Sequence, residues 1–221
     1  MPDVFREIVE LYFKWRQLDA EGDYEKAMEA CEGIIQLDYT GEVYVKQAKV
    51  CREISLMKSQ FWNDCEAAFQ ATAEQSPRSA QPWIQRATAL LDLGRFMEAM
   101  RSLENALLLE PDSAQALWRL GIAKAEMAKP EMGNPQLMEE ALRHFDRALE
   151  LDRKLEAAWY YKAMALTDAH RDEEALACLD VLLGQLNPAN PFAWQLRGLL
   201  LENLRRSQEA QDSYARAAEV T

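Results

Sequence analysis

Two histidines, His144 and His170, and four cysteines, Cys31, Cys51, Cys65 and Cys178, are the residues of this 221-residue chain best suited to nucleophilic or metal chemistry. Their spacing supports neither. The histidines stand 26 residues apart, and no Cys, Ser or carboxylate motif lies beside either at metal-ligand or triad spacing. The cysteines fall inside apolar helical patterns and read as buried, reduced thiols. The eight glycines are scattered at helix ends and packing sites, with no phosphate-binding loop among them. Acid pairs such as Glu139-Glu140 and Glu173-Glu174 start helices, where carboxylates favour the positive end of the dipole. No catalytic residue, cofactor or metal is expected.

Charge narrows the partners. The chain carries 37 acids against 25 bases, a net charge of −12. Such a surface repels phosphate backbones, so nucleic acid is not an expected partner. It favours a partner that is neutral or basic near its contact. No stretch reaches the roughly eighteen uninterrupted apolar residues of a membrane span, and the first residues, Met1-Pro2-Asp3-Val4-Phe5-Arg6-Glu7, do not form a secretory signal. A cytoplasmic location is expected.

With little chemistry in the side chains, the elements that position them carry the information. Hydrophobic residues make up 49% of the chain, and eight glycines and eight prolines are few enough for long helices. An acid followed by a small residue recurs at Glu98-Ala99, Glu140-Ala141, Glu174-Ala175 and Glu209-Ala210, at intervals of 42, 34 and 35. Leu103, Phe145, Leu179 and Tyr214 keep the same intervals, and Ala87, Gly121, Ala163 and Gly198 form a parallel series. Within each period the apolar residues are helical: Trp83, Ala87 and Leu90 form one stripe, Ala99, Leu103 and Ala106 the next. Gly94 can end the first helix in the left-handed conformation, and Pro77 and Pro111 stop second helices. Asp112-Ser113 offers caps to the helix that follows. Six repeats result, roughly 8–41, 42–79, 80–113, 114–155, 156–190 and 191–221, each expected to be a helix, a tight turn and an antiparallel helix. One pair cannot bury both its apolar faces, so the pairs must stack.

The series Trp83, Ala87, Leu90, Gly94, Phe96, Ala99, Leu103, Ala106 and Pro111 resembles the tetratricopeptide repeat family, with similar sets from Trp159 and from Trp194. Trp15 departs from it, being bulky where a small residue is usual, and about eight residues around Lys129–Pro135 are inserted in the fourth repeat. The resemblance implies an all-α, right-handed solenoid of about six antiparallel helix pairs, whose concave wall is built from the first helices and holds a peptide or helix of another protein. Stepping one position round from each core stripe gives the expected groove: Tyr12 and Arg16, Gln81, Ile84 and Thr88, Trp118 and Ile122, Tyr160 and Met164, Gln195 and Leu199. Its middle is apolar and aromatic. The Lys, Asn and Arg with which some members clamp the terminal carboxylate of heat-shock chaperones are missing there, so an amphipathic helix is the expected ligand.

An adaptor binding a linear segment of another protein, monomeric itself, is thus the first reading. The alternatives are a self-assembling structural scaffold, joined through its aromatic first helix or leucine-rich last repeat, and a regulatory fragment of a larger protein.

Overall fold

The computed structural model describes residues 2–37, 42–129 and 136–220. Among these it is all-helical: eleven α-helices and one short π-helical turn, with no strand. Of the expected insertion only Lys129 is described; residues 130–135 lie outside. The chain forms two compact units, residues 1–98 and 99–221.

The first unit holds α1 (Pro2–Glu21), α2 (Tyr24–Gln36), α3 (Glu42–Gln75), α4 (Gln81–Asp92) and the start of α5 (Phe96–Leu109). Helix α3 corrects the expected plan. The second repeat is not a pair but one 34-residue helix. Its sequence contains neither glycine nor proline, so nothing supplies the left-handed residue that a reversal needs. Trp15, unexpectedly large for its position, serves here. Its indole donates to Ser55 Oγ at 3.1 Å, and the fully buried Ser55 donates to Asp19 Oδ1 at 2.9 Å. Lys58 completes the link to Asp19 at 2.5 Å, so α1 and α3 are joined by a satisfied polar relay.

The second unit holds the rest of α5, then α6 (Ala114–Met127), α7 (Gln136–Leu151), α8 (Glu156–Asp168), α9 (Asp172–Val181), α10 (Pro191–Asn203) and α11 (Ser207–Glu219). The π-helical turn Leu182–Leu186 extends α9. Helices pair as α6 with α7, α8 with α9 and α10 with α11, and successive pairs meet through α7 with α8 and α9 with α10. The recurring small residues work by close approach. A Cβ on Gly121 would fall 2.9 Å from the Phe145 ring, and one on Gly198 would fall 2.4 Å from Tyr214. Phe145, Ala163, Leu179, Leu200 and Leu201 form the centre of the unit's core, each with at most 2% of its surface exposed.

One turn is used four times. The amide of Asp23 donates to the Leu18 carbonyl at 2.9 Å, Arg95 to Leu90 at 2.8 Å, Arg171 to Leu166 at 2.9 Å and Arg206 to Leu201 at 2.8 Å. In each, the residue just before the donor is left-handed: Gly22 (φ 79°), Gly94 (φ 74°), His170 (φ 56°) and Arg205 (φ 59°). This is the Schellman closure, which satisfies carbonyls orphaned at a helix end. Three of the turns end in an arginine that pairs with a glutamate three residues on: Arg95–Glu98, Arg171–Glu174 and Arg206–Glu209. Three of the four recurrent acids of the sequence are therefore partners of a turn arginine, while Glu140 pairs with Lys124. Hydrogen bonds from Arg171 and Arg206 hold the Glu174 and Glu209 carboxyls below the usual range.

His170 and Arg205 occupy a conformation that disfavours a Cβ, while glycine adopts it freely. His170→Gly and Arg205→Gly should each stabilise the fold, by about 1 kcal/mol, whereas Gly198→Ala should destabilise it by about 1–3 kcal/mol through the clash with Tyr214. Chemical denaturation midpoints at constant slope check all three.

Candidate functional site

Reactive chemistry finds no footing in the described residues. Burial pushes the Cys31 thiol up to about 12, and raises those of Cys51, Cys65 and Cys178, so none is poised as a thiolate. His144 is half-buried on α7, where burial lowers its pKa, and exposed His170 is the left-handed residue of a turn. No group of three His, Cys, Asp or Glu among the described residues is placed to hold a metal. No helix among them is long and apolar enough to cross a membrane.

In the second unit the first helices of the pairs lie side by side, α6 against α8 and α8 against α10. Trp118 on α6 is half-buried. Its ring stacks on Tyr161 of α8 with centroids 5.6 Å apart and planes at 24°, and Tyr160 meets Tyr161 edge-on at 5.7 Å. The Arg119 guanidinium lies 4.3 Å from the Trp118 centroid, held by the side-chain oxygen of Gln115 at 2.6 Å. The Trp118 indole itself donates to the same Gln115 oxygen at 3.3 Å. Ile122 and Met164 are half-buried, Gln195 is exposed, and Leu199 on α10 has 46% of its surface exposed. These residues run from α6 across α8 to α10. Burial raises the Tyr160 phenol above its ordinary pKa, so it stays a neutral donor and acceptor.

Tyr161 is the residue that the sequence reading missed. One position round from Tyr160, it was assigned to neither core nor groove, yet it joins the two aromatic residues that were. Trp159 and Trp194, expected at core sites, are half-buried and pack against the same core as Trp118. Trp159 donates its indole proton to the Arg153 carbonyl at 2.9 Å and Trp194 to the Pro188 carbonyl at 2.8 Å, the same bond in consecutive repeats. Each ties a first helix to the loop before it.

The first unit places its expected residues less uniformly. Tyr12 is half-buried and packs 5.5 Å from Trp15, while Arg16 and Gln81 are exposed. Ile84 is buried, with 5% of its surface exposed, and half-buried Thr88 donates to the Ile84 carbonyl at 2.9 Å. Tyr12 lines an apolar cleft of about 310 Å³ with Ile8, Val9, Phe13, Tyr44 and Ala48.

Helix pairs closed by a repeated turn, with small residues set against large side chains at intervals of 34 to 42, have the form of tetratricopeptide repeats, which supports a scaffold for protein interaction. Direct matches support the class: residues 84–126 and 193–221 each match a tetratricopeptide repeat family. Among solved structures it shares its fold with MamA. One MamA crystal structure is 20% identical, covering 70% of this chain and 85% of its own, with a TM-score of 0.59. A form comprising MamA from residue 41 to its end, from Desulfovibrio magneticus RS-1, is 14% identical over 97% of this chain and 94% of its own, with a TM-score of 0.54. No curated protein matches the sequence.

The aromatic cluster should give a graded mutational series. Truncating buried Phe145 to alanine should cost about 3–5 kcal/mol. Trp118→Ala, which loses one stacked face, should cost about 1–2 kcal/mol, and Leu199→Ala should stay within about 0.5 kcal/mol. Thermal and denaturant melts of the three variants measure this order directly.

Proposed function

We propose that the chain is an adaptor that binds an amphipathic helix of another protein along α6, α8 and α10. The observation that carries this reading is the row of half-buried aromatic and aliphatic side chains on three adjacent first helices, ending at exposed Leu199. Tryptophan and tyrosine dominate interface energetics because they bury large rigid surfaces at low entropic cost. Trp118 and Tyr160 supply such anchors, and Tyr161 fixes their position. A helix carrying apolar residues at i, i+3 or i+4 and i+7 would match the row, while Gln115, Arg119 and Gln195 offer polar groups at its margin. The net charge of −12 favours a ligand with basic residues on its outward face.

The fixed geometry makes the proposal testable with peptides. Helical peptides selected against the full chain should show three apolar anchors at helical spacing and bind with dissociation constants of the order of micromolar. Trp118→Ala and Leu199→Glu should each weaken the selected peptides about tenfold or more. Met97→Glu, at an exposed position on α5, should leave binding unchanged. Fluorescence anisotropy gives all three constants. Equal binding by wild type and both face variants would remove the proposal.

A further inference from the structure

Helix α3 carries an apolar stripe that nothing in the described residues covers. Val50, Ile54, Met57 and Phe61 recur at the 4-3-4 spacing of a helix–helix seam and expose 58%, 36%, 60% and 43% of their surfaces. Gln47, one step earlier in the same register, also lines the cleft beside Tyr12 and Phe13. The opposite side of α3, with Ala48, Cys51 and Ser55, is buried, and α1, α2 and α4 pack on the helix. The exposure follows from the missing reversal. In the pairs α6–α7, α8–α9 and α10–α11 a second helix folds back along the first, and α3 runs straight on instead.

We propose that the α3 helix of a second copy of this chain, lying antiparallel, covers this stripe and so supplies in trans the helix that the second repeat lacks. The charge pattern selects a copy of itself. From Glu42 to Lys58 the helix carries Lys46, Lys49, Arg52 and Lys58 against Glu42 and Glu53; from Ser59 to Gln75 it carries Asp64, Glu66 and Glu74 and no base. Bases towards the N-terminus and acids towards the C-terminus oppose the helix dipole; Lys58, Glu66 and Arg52 pair within the chain, with Asp19, Arg86 and Glu53, while Lys46 and Asp64 are exposed beside the stripe. An antiparallel copy makes the distribution complementary, basic half against acidic half. In the register that sets Ile54 against the partner's Met57, Val50 meets the partner's Phe61, small against large, and Lys46 comes beside the partner's Asp64. The same contacts repeat on the other side of the two-fold axis, as an isologous dimer requires. This surface lies in the first unit and is independent of the aromatic row on α6, α8 and α10. It also moves the site of self-association from the chain's ends, where the sequence alone had placed it, to the middle of the first unit.

Sedimentation velocity of the full chain across about 1–200 µM tests the proposal. The wild type should pass from one chain to two within that range. Met57→Glu and Ile54→Glu, both at exposed positions, should weaken the dimer at least tenfold while leaving the circular dichroism spectrum and melting midpoint unchanged. Phe13→Glu, in the neighbouring cleft, should leave the dimer intact. Orientation is read from a charge cycle: Lys46→Asp and Asp64→Lys each weaken the dimer, and the double variant restores it. A wild type that stays monomeric throughout, or a dimer indifferent to Met57→Glu, overturns the proposal. Dimers that survive both single charge reversals overturn the antiparallel register.

Discussion

The close approach of one helix to the ring of the next is the constraint on which this structure depends. A helix pair cannot bury both of its apolar faces, and the two helices of a pair in the second unit come close because small residues sit where large ones reach across. At Gly121 and Gly198 the space is so completely taken by Phe145 and Tyr214 that not even a methyl group fits. Once those contacts set the spacing, the rest is determined. First helices lie side by side in the second unit.

That geometry was legible in the sequence because it is periodic. The small and large series, the prolines that end α3 and α5, the left-handed Gly94 and the Ser113 cap all repeat a physical task at a fixed interval. Ser113 Oγ accepts from the Ala116 amide at 3.4 Å, and Gly94 has a φ of 74°. The recurrent glutamate was visible too, although its reason was not: at Glu98, Glu174 and Glu209 it pairs with an arginine that closes the turn, and at Glu140 with Lys124.

What escaped the sequence was not periodic. Residues 42–79 read as a pair like the others, yet no glycine or proline lies within residues 42–75 to reverse the chain. A missing breaker leaves no mark in an apolar pattern. His170 and Arg205 are similarly silent, since neither residue type announces a left-handed turn; the neighbouring turns, not their own chemistry, impose it. One step round a helix is about 100°, enough to bury Ile84 in one repeat and expose Leu199 in another. Tyr161 was missed for the same reason. Its role comes from Trp118, a residue 43 positions away that only the packing of neighbouring pairs brings within stacking distance.

Function follows from which faces the packing leaves uncovered. In the second unit the proposed face carries Trp118, Tyr160 and Tyr161, whose rings touch one another, with Arg119 held over Trp118 by Gln115. Photo-crosslinking from a helical peptide bearing a benzophenone at its central apolar position tests this most directly. The account predicts adducts on Ile122, Tyr160, Met164 or Leu199, all on first helices. Adducts confined to α7, α9 or α11 would contradict it.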